Sequence, residues 1–399
     1  MIDLYSPLHS LRVGQWFKLI CGASFQHLPA VRNLALAYTL AGADCIDVAA
    51  DPAAIAAVQE GLQVAATLTT EAQQRGFGVR GKPWLMVSLN DGEDPHFRKA
   101  EFNPAECPAE CPRPCQSICP ASAIVFPKTA LGKEKVSLGA SGWQKKDRDR
   151  LLNINSQSHA DFAGVIDQIC YGCGRCLPIC PSQLIFTRSY VLTPQAIAPL
   201  ILESGIDALE IHTQIGRITD FQRLWAAISP WLGNLKLLAI SCPDGAGVID
   251  YMRSLHQAIA PLPCPLIWQT DGRAMSGDIG MGATHAAIQF GQKVLAADLP
   301  GYVQLAGGTN GYTVTKLASL GLLGKIAGIG YGSYARAIAN PILEQLEKGN
   351  QQHYVSESFT ENRPIIRLEN SPELLWEAVA IAHSLVSQIK LPQIPLKCT

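Results

Sequence analysis

Eight of the 13 cysteines fall in two short runs, and the spacing of the second leaves little freedom in what that stretch can build. Cys170, Cys173, Cys176 and Cys180, with Pro181 after them, fit the pattern C-x2-C-x2-C-x3-C-P. Three thiolates two residues apart curl around one iron-sulfur cubane, while the fourth, beside a proline that turns the chain, is aimed at a neighbouring cluster. The first run, Cys107, Cys111, Cys115 and Cys119 before Pro120, ends in the same way but has wider gaps ahead of that ending. The residues after each run also repeat: Cys119-Pro-Ala-Ser-Ala-Ile124 and Cys180-Pro-Ser-Gln-Leu-Ile185 both read as a short helical turn entering a strand. The two runs together read as a two-cluster, ferredoxin-like repeat. Crossing over of the last cysteines assigns a 4Fe-4S cluster to Cys170, Cys173, Cys176 and Cys119, and a 4Fe-4S or 3Fe-4S cluster to Cys107, Cys111, Cys115 and Cys180.

Structural zinc also takes four thiolates, but its knuckles do not call for a C-x2-C-x2-C run closed by C-x3-C-P. The chain starts Met-Ile-Asp-Leu-Tyr-Ser, without the basic, apolar and small-residue succession of a secretory leader. The expectation is therefore a reducing, cytoplasmic setting rather than a disulfide framework. Cys21, Cys45, Cys242, Cys264 and Cys398 are scattered, the first four in or beside apolar runs, and read as buried small hydrophobes. A net charge of -1 over 399 residues makes no case for nucleic acid or an anionic membrane as partner. No apolar stretch approaches the ~18 to 20 residues of a transmembrane segment.

Outside the cysteines, short β-rich apolar runs alternate with longer helix-period segments, as in a parallel α/β fold. Strands are expected at 17–21, 45–49, 84–88, 208–212, 237–241, 265–269, 302–306 and 325–329. Helices are expected at 27–40, 52–75, 220–232, 248–260 and 334–348, with Gly42 and Gly76 as C-terminal stops. Eight strand-helix repeats fit a TIM-barrel-like (β/α)8 fold. A doubly wound open sheet is the competing architecture. After the third strand the chain leaves the pattern, passes both cysteine runs, and resumes with a helix at 193–204. The ferredoxin-like module thus reads as an insertion in the third βα loop, on the barrel face where active sites form. The expected organisation is barrel over 1–99, iron-sulfur insertion over 100–190, barrel over 191–349, and a C-terminal extension over 350–399.

The barrel mouth carries a weaker signal. Gly307, Gly308 and Thr309 come after strand seven, and Gly330, Gly332 and Ser333 after strand eight. In many barrels these two loops and a helix N-terminus hold a phosphate, which suggests a phosphate-bearing ligand such as flavin mononucleotide. Glycines that merely permit tight barrel corners are the alternative. Asp47, Asp51, His212, Asp271 and Arg273 also point toward this mouth but form no recognisable catalytic constellation, and polar strand-end residues are commonly caps. No catalytic residue is assigned. Between the cysteine runs, 128–150 is the one clearly basic stretch, either a solvated loop or a docking segment for an acidic partner or electron donor. From 351 onward a polar lead-in precedes a helix that starts at Ser371 and Pro372 and carries Leu374, Ala378, Leu385 and Ile389 on one face. That face is expected to pack on the barrel.

Taken together, the chain resembles the light-dependent period protein family (LdpA) of cyanobacteria. The resemblance rests on Phe17-Lys-Leu-Ile-Cys-Gly-Ala-Ser24, on Ala41-Gly-Ala-Asp-Cys-Ile-Asp-Val-Ala-Ala-Asp-Pro52, on both cysteine runs and on Leu305-Ala-Gly-Gly-Thr-Asn-Gly311. It implies an iron-sulfur redox sensor that relays the state of photosynthetic electron transport, or of its quinone pool, to the circadian clock. The partners it implies are clock proteins, the input histidine kinase among them. An oxidoreductase passing electrons to a flavin or phosphate-bearing ligand at the barrel mouth is the alternative.

Overall fold

A computed structural model describes residues 7–21, 28–92, 98–119, 123–126, 164–166, 170, 176–189, 201–273, 279–355 and 367–390. Cys173, Cys398, the basic stretch 128–150 and most of the helix expected over 193–204 lie outside them.

Eight of the described strands close into a parallel barrel: β1 (Trp16–Ile20), β2 (Cys45–Ala49), β3 (Trp84–Asn90), β6 (Ala208–His212), β7 (Leu237–Pro243), β8 (Leu266–Asp271), β9 (Tyr302–Ala306) and β10 (Gly328–Tyr331). β1 closes the ring by pairing with both β2 and β10. The alternation of side chains along each strand separates two environments. Phe17, Leu19, Ile46, Val48, Leu85, Val87, Leu209 and Ile211 belong to the large core under the surrounding helices. Trp16, Cys45, Trp84, Met86, Ala208, Leu237, Ala239 and Ile267 form a separate apolar cluster inside the barrel's N-terminal half, joined by Leu11 of α1 (Pro7–Arg12). Above that floor the interior becomes polar.

The helices track the sequence pattern closely. α2 (Leu28–Ala41) ends at Gly42, which has φ +99°, and α3 (Pro52–Gln74) is followed by Gly76 at φ +84°. Asp51 caps α3, accepting the Ala53 N–H at 2.8 Å. Two boundaries differ from expectation. The last strand begins at Gly328 rather than 325, because 325–327 close a turn in which the Lys325 N–H donates to the Leu322 carbonyl at 3.0 Å. The helix expected through 232 gives way after Ile228 to a 3-10 turn over Ser229–Asn234, where Pro230 has no N–H to continue the α-helical ladder. Of the scattered cysteines, Cys21, Cys45 and Cys242 are buried and Cys264 is half-buried.

Two further helices come from the C-terminal part. One begins at Ser333 and runs to Val355, so the expected boundary at 350 falls inside it. The last, Pro372–Lys390, buries Leu375, Ala378, Val379, Ala382, Leu385, Val386 and Ile389. It packs on α2 and on the preceding helix, as expected of its apolar face. This second cover explains why α2 is apolar around most of its circumference and nearly all buried. The buried Arg32 of α2 pairs there with Glu60 at 3.0 Å and with Glu369 at 2.5 Å.

The excursion between β3 and β6 has a small core of its own. β4 (Arg98–Glu101) and β5 (Phe186–Ser189) pair antiparallel, and Ile124 bridges Val165. α4 (Pro114–Ile118) and α5 (Cys176–Ile179) pack against each other. Phe102, Ile124, Val165 and Ile185 are buried together with Cys115, Cys170 and Cys176. Lys99 of β4 reaches back to Asp51 at 3.2 Å, a buried ion pair that fastens the excursion to the C-terminal end of β2.

Candidate functional site

The excursion brings the cysteines of both runs together. Cys107 and Cys111 lie in tight turns, their N–H groups donating to the carbonyls of Pro104 and Pro108. Cys115 sits in α4, and Cys180 comes directly after α5 with its N–H on the Leu177 carbonyl. Burial pushes the Cys107 thiol above its ordinary range, and Cys111 and then Cys180 add to the shift. Burial raises Cys115 as well, with Cys180, Cys107 and Cys111 adding to it. So Cys180, the last cysteine of the second run, lies within electrostatic reach of Cys107 and Cys115 of the first. Such a set resists ionising all at once unless a positive centre offsets the repulsion. The other described ligand candidates, Cys170, Cys176 and Cys119, belong to the same small core, and the Cys119 sulfur accepts the Ala123 N–H at 3.3 Å. Among the described residues no three His, Cys, Asp or Glu side chains converge on one metal ion. The thiolates around a cubane each bind a different iron, and cysteines drawn from both runs into one small core suit that arrangement. This donor set fits iron-sulfur clusters.

A second constellation fills the upper half of the barrel. Lys18 of β1, with no exposed surface, lies between Glu210 of β6 and Asp47 of β2, the latter at 3.2 Å. Its ammonium also donates to the Gln269 amide oxygen at 2.9 Å. Gln269 donates to Glu210 at 2.7 Å and accepts from Gln304 at 2.6 Å. The Trp16 indole, rising from the apolar floor, donates to Gln304 at 2.7 Å. Ser88 donates to Asp47 at 2.7 Å, and Ser241 donates to Asp271. His212 Nε2 stands 3.1 Å from Glu210 Oε1. Lys18 is held charged: the two carboxylates more than offset its burial. Burial pushes Asp47 up to about 6, because Lys18 and Ser88 do not fully offset burial and the nearby Glu210 charge. Burial also raises Asp271, opposed by His212 and by the Ser241 hydrogen bond.

The mouth residues singled out by sequence therefore divide. Asp47, His212 and Asp271 join this network. Asp51 is a helix cap, and Arg273 lies beyond β8 with its N–H on the Gly307 carbonyl at 2.9 Å. Sequence reasoning misses Lys18, Ser88, Glu210, Ser241, Gln269 and Gln304. A signal for four of the network residues is present: Lys18, Asp47, Glu210 and Gln304 each stand at the middle of a five-residue strand between apolar neighbours, while Gln269 follows the apolar run Leu266-Ile-Trp268.

The glycine loops adjoin, since the Thr309 hydroxyl donates to the Gly330 carbonyl at 2.6 Å. A Cβ at Gly308 would lie 2.7 Å from the Ala283 carbonyl oxygen, and one at Gly330 would lie 3.0 Å from the Gln304 amide nitrogen. Close packing accounts for both glycines. Gly332 is roomier, and the Ser333 hydroxyl accepts from Arg336 at 3.2 Å.

Family models described as the LdpA Fe-S cluster-binding domain and the light dependent period A C-terminal domain match residues 107–139 with 152–191, and 200–388, respectively. Light dependent period A of Synechococcus elongatus is 45% identical over 389 residues, covering 96% of this chain and 94% of that protein. Among solved structures, tryptophan synthase from Mycobacterium tuberculosis aligns at 11% identity and TM-score 0.38, over 96% of this chain and 95% of that one. The tryptophan synthase alpha chain from Legionella pneumophila aligns at 10% identity and TM-score 0.40, again over 96% and 95%. Among the described residues, no helix is long and apolar enough to cross a membrane.

Proposed function

The chain belongs to the light dependent period A family, and from that premise we propose that it is an iron-sulfur redox sensor of light-dependent period control. The observation that supports the reading is that Cys180 of the second run lies within electrostatic reach of Cys107 and Cys115 of the first, as the crossed ligand sets of a two-cluster ferredoxin-like module require. In this reading Cys170, Cys173, Cys176 and Cys119 hold the second cluster. A change of oxidation state alters the charge inside this small core. The Lys99–Asp51 pair passes that change to the barrel. The partners are clock proteins, including the input histidine kinase, and the electron source is a quinone or a protein donor in the cytoplasm. A phosphate-bearing ligand such as flavin mononucleotide would find its donors at Gly332, Ser333 and Arg336 rather than at the packed Gly308 and Gly330.

Anaerobically purified protein is expected to be brown and to hold about seven or eight irons. Cys180→Ser should remove the signal of one cluster by electron paramagnetic resonance and leave the other. A colourless protein with stoichiometric zinc, or a Cys180→Ser variant with both signals intact, overturns the reading.

A further inference from the structure

Between the second and third cysteines of the first run, the backbone adopts a conformation suited to glycine, yet the residue there is an arginine. Arg113 stands between Pro112 and Pro114 with φ +53° and ψ +51°, the left-handed region that glycine alone visits freely. Pro114 narrows the choices of the residue before it further. The bend carries the chain from Cys111 into α4, which holds Cys115, and the Arg113 carbonyl accepts the Gln116 N–H at 3.0 Å. Glycine would make the same bend at lower cost. An arginine kept in a glycine's backbone position points to a use for its side chain.

That side chain has a fixed place. The guanidinium carbon of Arg113 lies 4.1 Å from the centroid of the Phe126 ring. Phe126 packs against the small core of the excursion, 5.6 Å from the ring of Phe102, which is buried. A cation–π contact of this kind holds a guanidinium without neutralising it. Among the described residues no carboxylate pairs with Arg113. Its charge therefore stays uncompensated beside the ligands of one cluster. The charge reaches Cys107, where it opposes the rise imposed by burial and by the neighbouring thiols. In sequence, the corresponding interval of the second run also carries an arginine, Arg175, between Cys173 and Cys176.

We propose that Arg113 raises the reduction potential of the cluster held by Cys107, Cys111, Cys115 and Cys180, which makes that cluster easier to reduce. The inference rests on the iron-sulfur reading above. A bound cluster supplies a one-electron couple; the electron comes from the donor of that reading, and no bond or proton is exchanged. The electron adds negative charge among ligands that are already anionic, so a fixed cation stabilises the reduced form more than the oxidised one. Arginine suits the task because it stays charged throughout the physiological pH range.

The test is a potentiometric titration of the full-length, anaerobically purified protein, followed by electron paramagnetic resonance once iron analysis has shown both clusters. The midpoint to follow is that of the signal that Cys180→Ser removes. Arg113→Gln and Arg113→Gly should each lower it, changing the ratio of reduced to oxidised cluster about tenfold at a fixed potential, which is about 59 mV for one electron. A unit charge several ångströms away, at an effective dielectric constant of about 20, supplies that factor. Arg113→Gly also relieves the backbone, so it carries the test if Arg113→Gln does not fold. Arg113→Lys keeps the charge but not the planar stack, and should stay within about threefold of the unaltered protein. Unchanged or raised midpoints in the Gln and Gly variants, a Lys variant shifted as far as the Gln variant, or loss of the cluster in all three overturns the inference and leaves the clusters assigned. A protein without clusters overturns the iron-sulfur reading and this inference with it.

Discussion

Lys18→Met replaces the barrel's central ammonium with an apolar chain of similar length, and the surroundings of that ammonium set the size of the effect. Lys18 and Glu210 have no exposed side-chain surface and Asp47 has 3%, so water cannot take over the lost role. Removing one partner of a buried ion pair costs about 3–5 kcal/mol, because a charge is left uncompensated. Two carboxylates are left here, so the loss should reach the upper part of that range near neutral pH. A total folding stability of about 5–15 kcal/mol makes this a severe change. The pH dependence has a definite sign. Asp47 already titrates at about 6 with Lys18 present, and losing the ammonium raises it further. A carboxyl raised above its unfolded value stabilises the fold when protonated and loses that contribution as pH rises through the folded value. The deficit should therefore be largest at pH 7.5 and shrink toward pH 5. The triple variant Lys18→Met, Asp47→Asn, Glu210→Gln carries no buried charge at these positions and should recover most of the loss. Urea unfolding monitored through tryptophan fluorescence reads the barrel, where Trp16 and Trp268 are fully buried. A single-variant loss under about 1 kcal/mol, a deficit that grows on acidification, or a triple variant no better than the single would refute the electrostatic account.

Lys99→Met should strip the ion pair between the excursion and the barrel at a cost of about 3 kcal/mol or less, since Asp51 keeps its capping bond. Limited proteolysis should then cut the excursion faster, and an unchanged rate would show the pair to be dispensable. Gly308→Ala meets φ +98° and a backbone oxygen 2.7 Å from the new Cβ, so it should cost about 2–4 kcal/mol. Gly324→Ala, at φ +81° with nothing within 4 Å, isolates the backbone part at about 1 kcal/mol. Equal melting points for the two variants would remove the packing explanation of Gly308.

The barrel is legible in the sequence because a parallel strand under helices writes a nearly continuous apolar run, and each of the eight runs from Phe17 to Ile329 marks a strand of the ring. Capping chemistry places Asp51, Gly42 and Gly76 equally well. The central network is not legible for a related reason. Lys18 lies one position from Phe17 and Leu19, and only closure of the ring makes it face Glu210, 192 residues away. Scanned singly, Asp47 or Gln304 is one polar residue in an apolar strand; taken across strands, the coincidence of four such residues at mid-strand is the signal. The cysteine spacing names the ligand set of one cluster, yet which run supplies each fourth ligand is a contact between segments far apart in sequence. The glycine loops illustrate the opposite error, since the same residues serve an anion or a tight contact, and only neighbours such as the Ala283 carbonyl distinguish them.

β3 hydrogen-bonds directly to β6, from Met86 opposite Ala208 to Asn90 opposite His212, although the cysteine-bearing excursion separates them in sequence. Because β3 and β6 run parallel, the chain must cross from the top of one to the bottom of the other. Within that crossing, Arg98 of β4 and Ser189 of β5 face each other across an antiparallel pair, about one strand spacing apart, roughly 5 Å. Closing entropy rises only with the logarithm of the length enclosed, so the ring is nearly indifferent to how much chain hangs from this point. A connector of a few residues should join Arg98 to Ser189, keep the crossing to β6, and leave a complete eight-stranded host. Seen from the other side, the redox part is a cassette: it enters and leaves through the two adjacent strands β4 and β5, so it can be gained, exchanged or shed without rewiring the ring that carries it.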